Sequence, residues 1–95
     1  MRMMLRWTIP AEKGNNMVND GSMGTVIEAL QEKLQPEAAY FLLEGGERSG
    51  MMIFDMKASS DIPSIAEVLF QGADAAVEFV PVMDGEDLKL ALGSL

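Results

Sequence analysis

The chain has 95 residues, a hydrophobic fraction of 48% and seven basic against fifteen acidic residues, for a formal net charge of −8 at pH 7. That length fits one domain, residues 1–95, able to bury about 60–65% of its unfolded surface, and the acidic balance argues against a nucleic-acid backbone or an anionic membrane, which need a basic footprint. Cysteine and histidine are both absent, which removes disulfides, thiolate nucleophiles, zinc–thiolate sites and the usual general base near neutral pH.

In chain order, Arg2–Ile9 alternates, with Met3, Leu5, Trp7 and Ile9 on one face and Arg2, Met4, Arg6 and Thr8 on the other, which is a strand signal. Met1–Pro10 is too short and too interrupted in its apolar content for a signal peptide, and no run approaches the ~18 apolar residues of a membrane span. A cytoplasmic protein is therefore expected. Pro10 ends the strand. Residues Ala11–Gly24 resist assignment, because Asn15, Asn16, Asn19, Asp20, Gly21 and Gly24 weaken a helix that Met17, Val18 and Met23 would otherwise supply with a stripe.

From Thr25 the helical spacing is plain, with Val26, Ile27, Leu30 and Leu34 on one side and Pro36 marking the end. Two apolar runs follow, Ala38–Leu43 and Met51–Met56, and the intervening Glu44–Gly50 reads as a hairpin loop. A second helix begins at Ser60 or Asp61, tolerates Pro63 in its first turn, buries Ile62, Ile65, Ala66, Val68 and Leu69, and stops near Gly72. Ala75–Met83 is a fourth strand. Asp84 then opens a short terminal helix, with Asp87 placed for a capping box.

Strand, helix, strand, strand, helix, strand is the split βαβ, or ferredoxin-like, α+β plan: a four-stranded antiparallel sheet with two helices on one face. Segregating apolar from mixed positions gives an expected hairpin register in which Leu43 faces Met52, Phe41 faces Phe54, Ala39 faces Met56 and Tyr40 faces Asp55. The face away from the helices then carries Met4, Arg6, Tyr40, Leu42, Met51, Ile53, Asp55, Glu78, Val80 and Val82. Such a face is too apolar for water, and a sheet-to-sheet homodimer would cover it.

With these elements in place, the chain resembles the dimeric α+β barrel group, which includes small monooxygenases and muconolactone isomerase-like proteins. Met4-Leu5-Arg6-Trp7, Pro36-Glu37-Ala38-Ala39-Tyr40-Phe41 and Pro81-Val82-Met83 are similar to segments of short bacterial proteins of unknown function. The resemblance implies a pocket between sheet and helices. It carries over no catalytic residue, because the histidine used by some relatives is missing.

The ligand-binding candidates are Arg6, Tyr40, Asp55 and Glu78, with Arg6 gripping a carboxylate and Asp55 or Glu78 as base. The competing reading makes the same charges an ion-pair cluster at the dimer interface, with Tyr40 satisfying its hydroxyl against Asp55. Trp7 is expected in the core, lining a pocket if the space beneath the helices is unfilled. Gly45, Gly46 and Gly50 read as a hairpin connection rather than a phosphate cradle, since no helix follows them. Gly21–Thr25 does precede a helix but has no basic neighbour. Asp84, Glu86 and Asp87 read as capping groups rather than a metal site, and neither metal nor cofactor is expected.

Two functions remain. One is a non-catalytic homodimer that binds a small organic ligand or a protein partner. The other is a cofactor-independent enzyme of monooxygenase or isomerase type, acting in a pocket between sheet and helices. The lack of a readable nucleophile–base pair favours the first.

Overall fold

The alternation of the first strand carries directly into three dimensions: Met3, Leu5, Trp7 and Ile9 are buried while Arg2, Met4, Arg6 and Thr8 are half-buried on the other face. A computed structural model describes residues 1–95. Its elements are β1 (Arg2–Thr8), α1 (Ala11–Asp20), α2 (Ser22–Leu34), β2 (Ala38–Glu44), β3 (Glu47–Asp55), α3 (Ile62–Ala73), β4 (Ala76–Pro81) and α4 (Gly85–Gly93), with a 3₁₀ turn at Ser59–Asp61 before α3. The strands form one antiparallel sheet in the order β2-β3-β1-β4. This is the ferredoxin-like arrangement, with β1 and β3 central.

The core lies between the sheet and helices α1 to α3. Leu5, Leu30, Met52 and Leu69 are fully buried there, and Phe79 and Val77 of β4 pack against the cluster from the sheet side. No helix is long and apolar enough to cross a membrane.

Residues Ala11–Asp20 are helical despite their poor propensity, and tertiary contacts account for it. Met17 is almost completely buried, and the Arg48 side chain of β3 lies against Gly14, with Nη1 only 2.8 Å from where a Cβ would stand. Arg48 also donates to Asn15 Oδ1 at 3.0 Å. Gly21, with φ 83°, ends α1 and turns the chain into α2, a left-handed conformation that glycine adopts without steric cost.

The hairpin differs from the sequence expectation in register. Gly45 and Gly46 both have positive φ, 58° and 81°, which suits a tight two-residue turn of the primed type. β3 therefore starts at Glu47, not Met51, and the pairing moves four residues along it. Phe41 lies opposite Gly50 rather than Phe54, Tyr40 opposite Met51 rather than Asp55, and Ala39, not Leu43, opposite Met52. Because the displacement is even, every side chain keeps its expected face.

Gly50 has a specific role in that register. It faces Trp7 on β1 and Phe41 on β2, and an added Cβ would come within 2.2 Å of the indole. The missing side chain lets Trp7 lie across β3 and meet Phe41 edge-on, with ring centroids 6.2 Å apart.

At the other end of the sheet, α4 starts with the anticipated capping box: Asp87 N donates to Asp84 Oδ1 at 2.8 Å, and Asp84 N donates to Asp87 Oδ2 at 3.1 Å. None of its residues is buried, and Leu88, Leu90 and Leu92 face solvent. Its tie to the sheet is Arg2, which reaches Asp87, Asp84 and Glu37 together. The Glu37 hydrogen bond, with the charges of the two aspartates, raises the Arg2 pKa.

Candidate functional site

Strand order and register decide which candidate residues meet. Tyr40, Met51, Arg6 and Glu78 form one row across the open face, since Tyr40 pairs with Met51, Met51 with Arg6, and Arg6 with Glu78. Arg6 is thus next to Glu78, while the Arg6 guanidinium makes its ion pair with Glu44. Tyr40 is two strands away from Arg6, about 10 Å at ordinary strand spacing, and its ring is largely exposed.

Asp55 does not join this row. It pairs with Arg2 at the far end of β3, four residues from Met51 and so roughly 13 Å along the strand. There its carboxylate accepts from Lys57 Nζ at 2.5 Å and from the Met1 amino group at 2.7 Å. Those two hydrogen bonds, Lys57 first, hold its pKa down to about 2. The structure therefore separates the four candidates into an Arg6–Glu78 pair, a detached Tyr40 and a terminal Asp55 anchor. Glu44, which shares the face by parity, is the group that sequence reasoning did not single out.

The opposite face has a better-formed hollow. It lies between the turn end of the hairpin and the α1–α2 corner, with a volume of about 410 Å³. β1 contributes Trp7, Ile9 follows just after it, the helices contribute Val18, Met23 and Ile27, and β2 contributes Phe41, Leu42 and Leu43. Arg48 and Ser49 are its polar lining residues. Ser49 is buried, and its Oγ lies 3.2 Å from Thr8 Oγ1 and 3.2 Å from the Glu47 carbonyl.

This groove arises from the two features that the sequence did not yield. α1 supplies its rim, and the early start of β3 puts Arg48 on its floor. Trp7 was the one legible signal, as a large ring whose core role depended on the space beneath the helices being filled. Phe41 and Leu43 face the helices, as parity requires, but the helices do not cover them: they are 57% and 73% exposed.

A second hollow of about 440 Å³ lies at the Asp55 end, between Lys33–Gln35, Phe54–Lys57 and Asp61–Ile65. Its lining is mixed, and Lys57 and Asp55 there already pair with each other. Ligand pockets are mostly apolar with a few placed polar groups, which describes the Trp7 groove and not this one. No group of three or more acidic side chains is gathered as a metal site.

No protein-family model matches the chain, and no curated protein matches it by sequence. Solved structures do share its fold. One is the 5-chloro-2-hydroxyhydroquinone dehydrochlorinase TftG from Burkholderia phenoliruptrix AC1100, in complex with 2,5-dihydroxybenzoquinone, with a TM-score of 0.66, 11% identity, and coverage of 90% of this chain and 97% of that one. Another is the periplasmic divalent cation tolerance protein CutA from Archaeoglobus fulgidus, with a TM-score of 0.50, 13% identity, and coverage of 96% and 93% respectively. At such identities the likeness shows the ferredoxin-like fold alone.

Proposed function

We propose that the protein is a non-catalytic binder of a compact organic ligand, held in the groove between the Trp7–Phe41 aromatic pair and the α1–α2 corner. The observation that carries this reading is the lining: apolar side chains from β1, β2, α1 and α2, with Arg48 of β3 as the charged group. A flat ring with an anionic or hydroxylated edge fits that chemistry, the ring against Trp7 and the edge toward Arg48. The fold shared with a dehydrochlorinase solved with a dihydroxybenzoquinone points to the same ligand size.

The enzymatic alternative needs a proton acceptor at the groove wall. Arg48 is the ionisable side chain that lines it, and a guanidinium offers donors but no acceptor. Binding without turnover is therefore the better-supported reading. In this reading Arg6, Glu44 and Glu78 belong to the open sheet face, where half-buried Met4, Met51, Ile53 and Val80 form the surface against which a second copy packs as a homodimer.

The test uses 1-anilinonaphthalene-8-sulfonate, a fused aromatic ring system with one anionic group. Because Trp7 is the sole tryptophan, its emission reports on the groove. Saturable binding that alters Trp7 emission, weakened about tenfold by Ile27→Glu and less by Arg48→Gln, is expected. Binding that never saturates, or that Ile27→Glu leaves unchanged in a folded variant, would overturn the groove as a ligand site.

A further inference from the structure

The sheet has two edges, and they are built differently. β4 is six residues long and carries Glu78 and Pro81, two of the devices that discourage another strand from pairing. β2 has neither a proline nor a basic residue, and its register with β3 runs from Ala38 to Glu44 without a bulge. Along it Tyr40, Phe41, Leu42 and Leu43 are all exposed. A regular edge that is apolar and uncharged from Ala38 to Leu43, with its one charge at Glu44 beside the turn, is a template for strand addition.

The turn determines which backbone groups the edge offers. In a two-residue hairpin the flanking residues, here Glu44 and Glu47, form a hydrogen-bonded pair, and bonded pairs then alternate along the ladder. Ala38, Tyr40, Leu42 and Glu44 thus spend their N–H and C=O groups on β3. Ala39, Phe41 and Leu43 direct theirs outward.

We propose that this edge pairs with β2 of a second copy, antiparallel about a two-fold axis through Phe41, to give one continuous sheet of eight strands. The occupant follows from the symmetry of the edge itself. The outward residues are evenly spaced about Phe41, so Phe41 bonds to its own counterpart while Ala39 and Leu43 bond reciprocally to Leu43 and Ala39 of the second copy. Side chains match as well: apolar Phe41, Leu43 and Ala39 gather on the helix side, and Tyr40 meets Leu42 on the other.

Charge permits the arrangement. The strand is uncharged from Ala38 to Leu43, and the Glu44 of each copy lies opposite the other's Ala38. The two Glu44 carboxylates then stand about 20 Å apart along the strand, beyond the ~8 Å screening length at physiological ionic strength. The pairing also sets the second copy's Phe41 and Ala39 beside Phe41 and Leu43, which form the outer wall of the Trp7 groove, so each groove gains a wall from its partner. It neither requires the groove to hold a ligand nor uses the open sheet face.

Two measurements test the pairing. Leu43→Pro removes one outward N–H at an edge position where proline leaves the β2–β3 ladder intact; in sedimentation it is expected to halve the mass of the wild-type assembly. Ile53→Glu, on the open face, should leave the β2 contact in place, so its product still halves when Leu43→Pro is added. In the unmodified chain the Phe41 amide should exchange slowly at high protein concentration and quickly on dilution. A wild-type mass of one chain at micromolar concentration, a mass that Leu43→Pro leaves unchanged, or fast Phe41 exchange at every concentration would each overturn the proposal.

Discussion

β2 and β3 are the two arms of one hairpin, yet the structure treats them as different materials. β3 lies between two strands and under the helices, and Ser49, Gly50, Met52 and Phe54 are buried. β2 is the more apolar of the two, but every residue from Tyr40 to Glu44 is exposed. An apolar sequence is therefore no guarantee of burial; position in the sheet decides it. The strand with the more continuous apolar run is the one left in water, and that is why it is a candidate for contact with another molecule.

The sharpest way to break this comparison is at Gly50. Gly50→Ala puts a Cβ into the Trp7 indole, so the ring must move; a loss of about 3 kcal/mol in chemical denaturation is expected. Met52→Ala, at a fully buried site, should cost about 2–5 kcal/mol depending on how far the cavity collapses. Leu43→Ala, across the same hairpin, should stay within about 0.5 kcal/mol when measured on dissociated chains. Phe41→Ala falls between them, losing the edge-on contact with Trp7 for about 0.5–1.5 kcal/mol and shifting the tryptophan emission.

The smallest effect concerns the end of β3, which is secured by charge at Asp55. The Asp55 carboxyl is held near 2, below its ordinary 3.8, by Lys57 and the Met1 amino group. A depressed carboxylate pKa stabilises the folded state above the unfolded value, and the contribution is lost as pH falls from about 4 through about 2. Asp55→Asn should flatten that part of the stability–pH profile and leave neutral pH nearly unaffected, because the group is exposed.

The pattern-bearing parts of the fold were legible in the sequence. Period two in Arg2–Ile9, helical spacing from Val26 to Leu34, and the Asp84–Asp87 box each reflect local physics that packing did not override. The register was not legible, because Glu47-Arg48-Ser49-Gly50 has the composition of a loop. Each of these residues is justified only by distant partners: Glu47 accepts from Ala11 N, Arg48 lies on Gly14, Ser49 meets Thr8, and Gly50 makes room for Trp7. The same contacts account for α1, whose asparagines argue against a helix until Met17 and Arg48 are in place. The candidate site suffered most, since a four-residue displacement parts Tyr40 from Asp55 while leaving both on the expected face.

The Trp7–Gly50 fit has a further consequence for how this chain can change over time. The two residues lie on different strands and are far apart in sequence, but they occupy one shared volume: whatever position 7 gains, position 50 must forgo. Neither can be altered alone without a vacancy or a collision. Relatives with any side chain at position 50 should therefore have a smaller residue than tryptophan at position 7. They should also show a reshaped groove, because the same indole forms its wall. A single steric exchange in the core would then set the kind of ligand each relative can take.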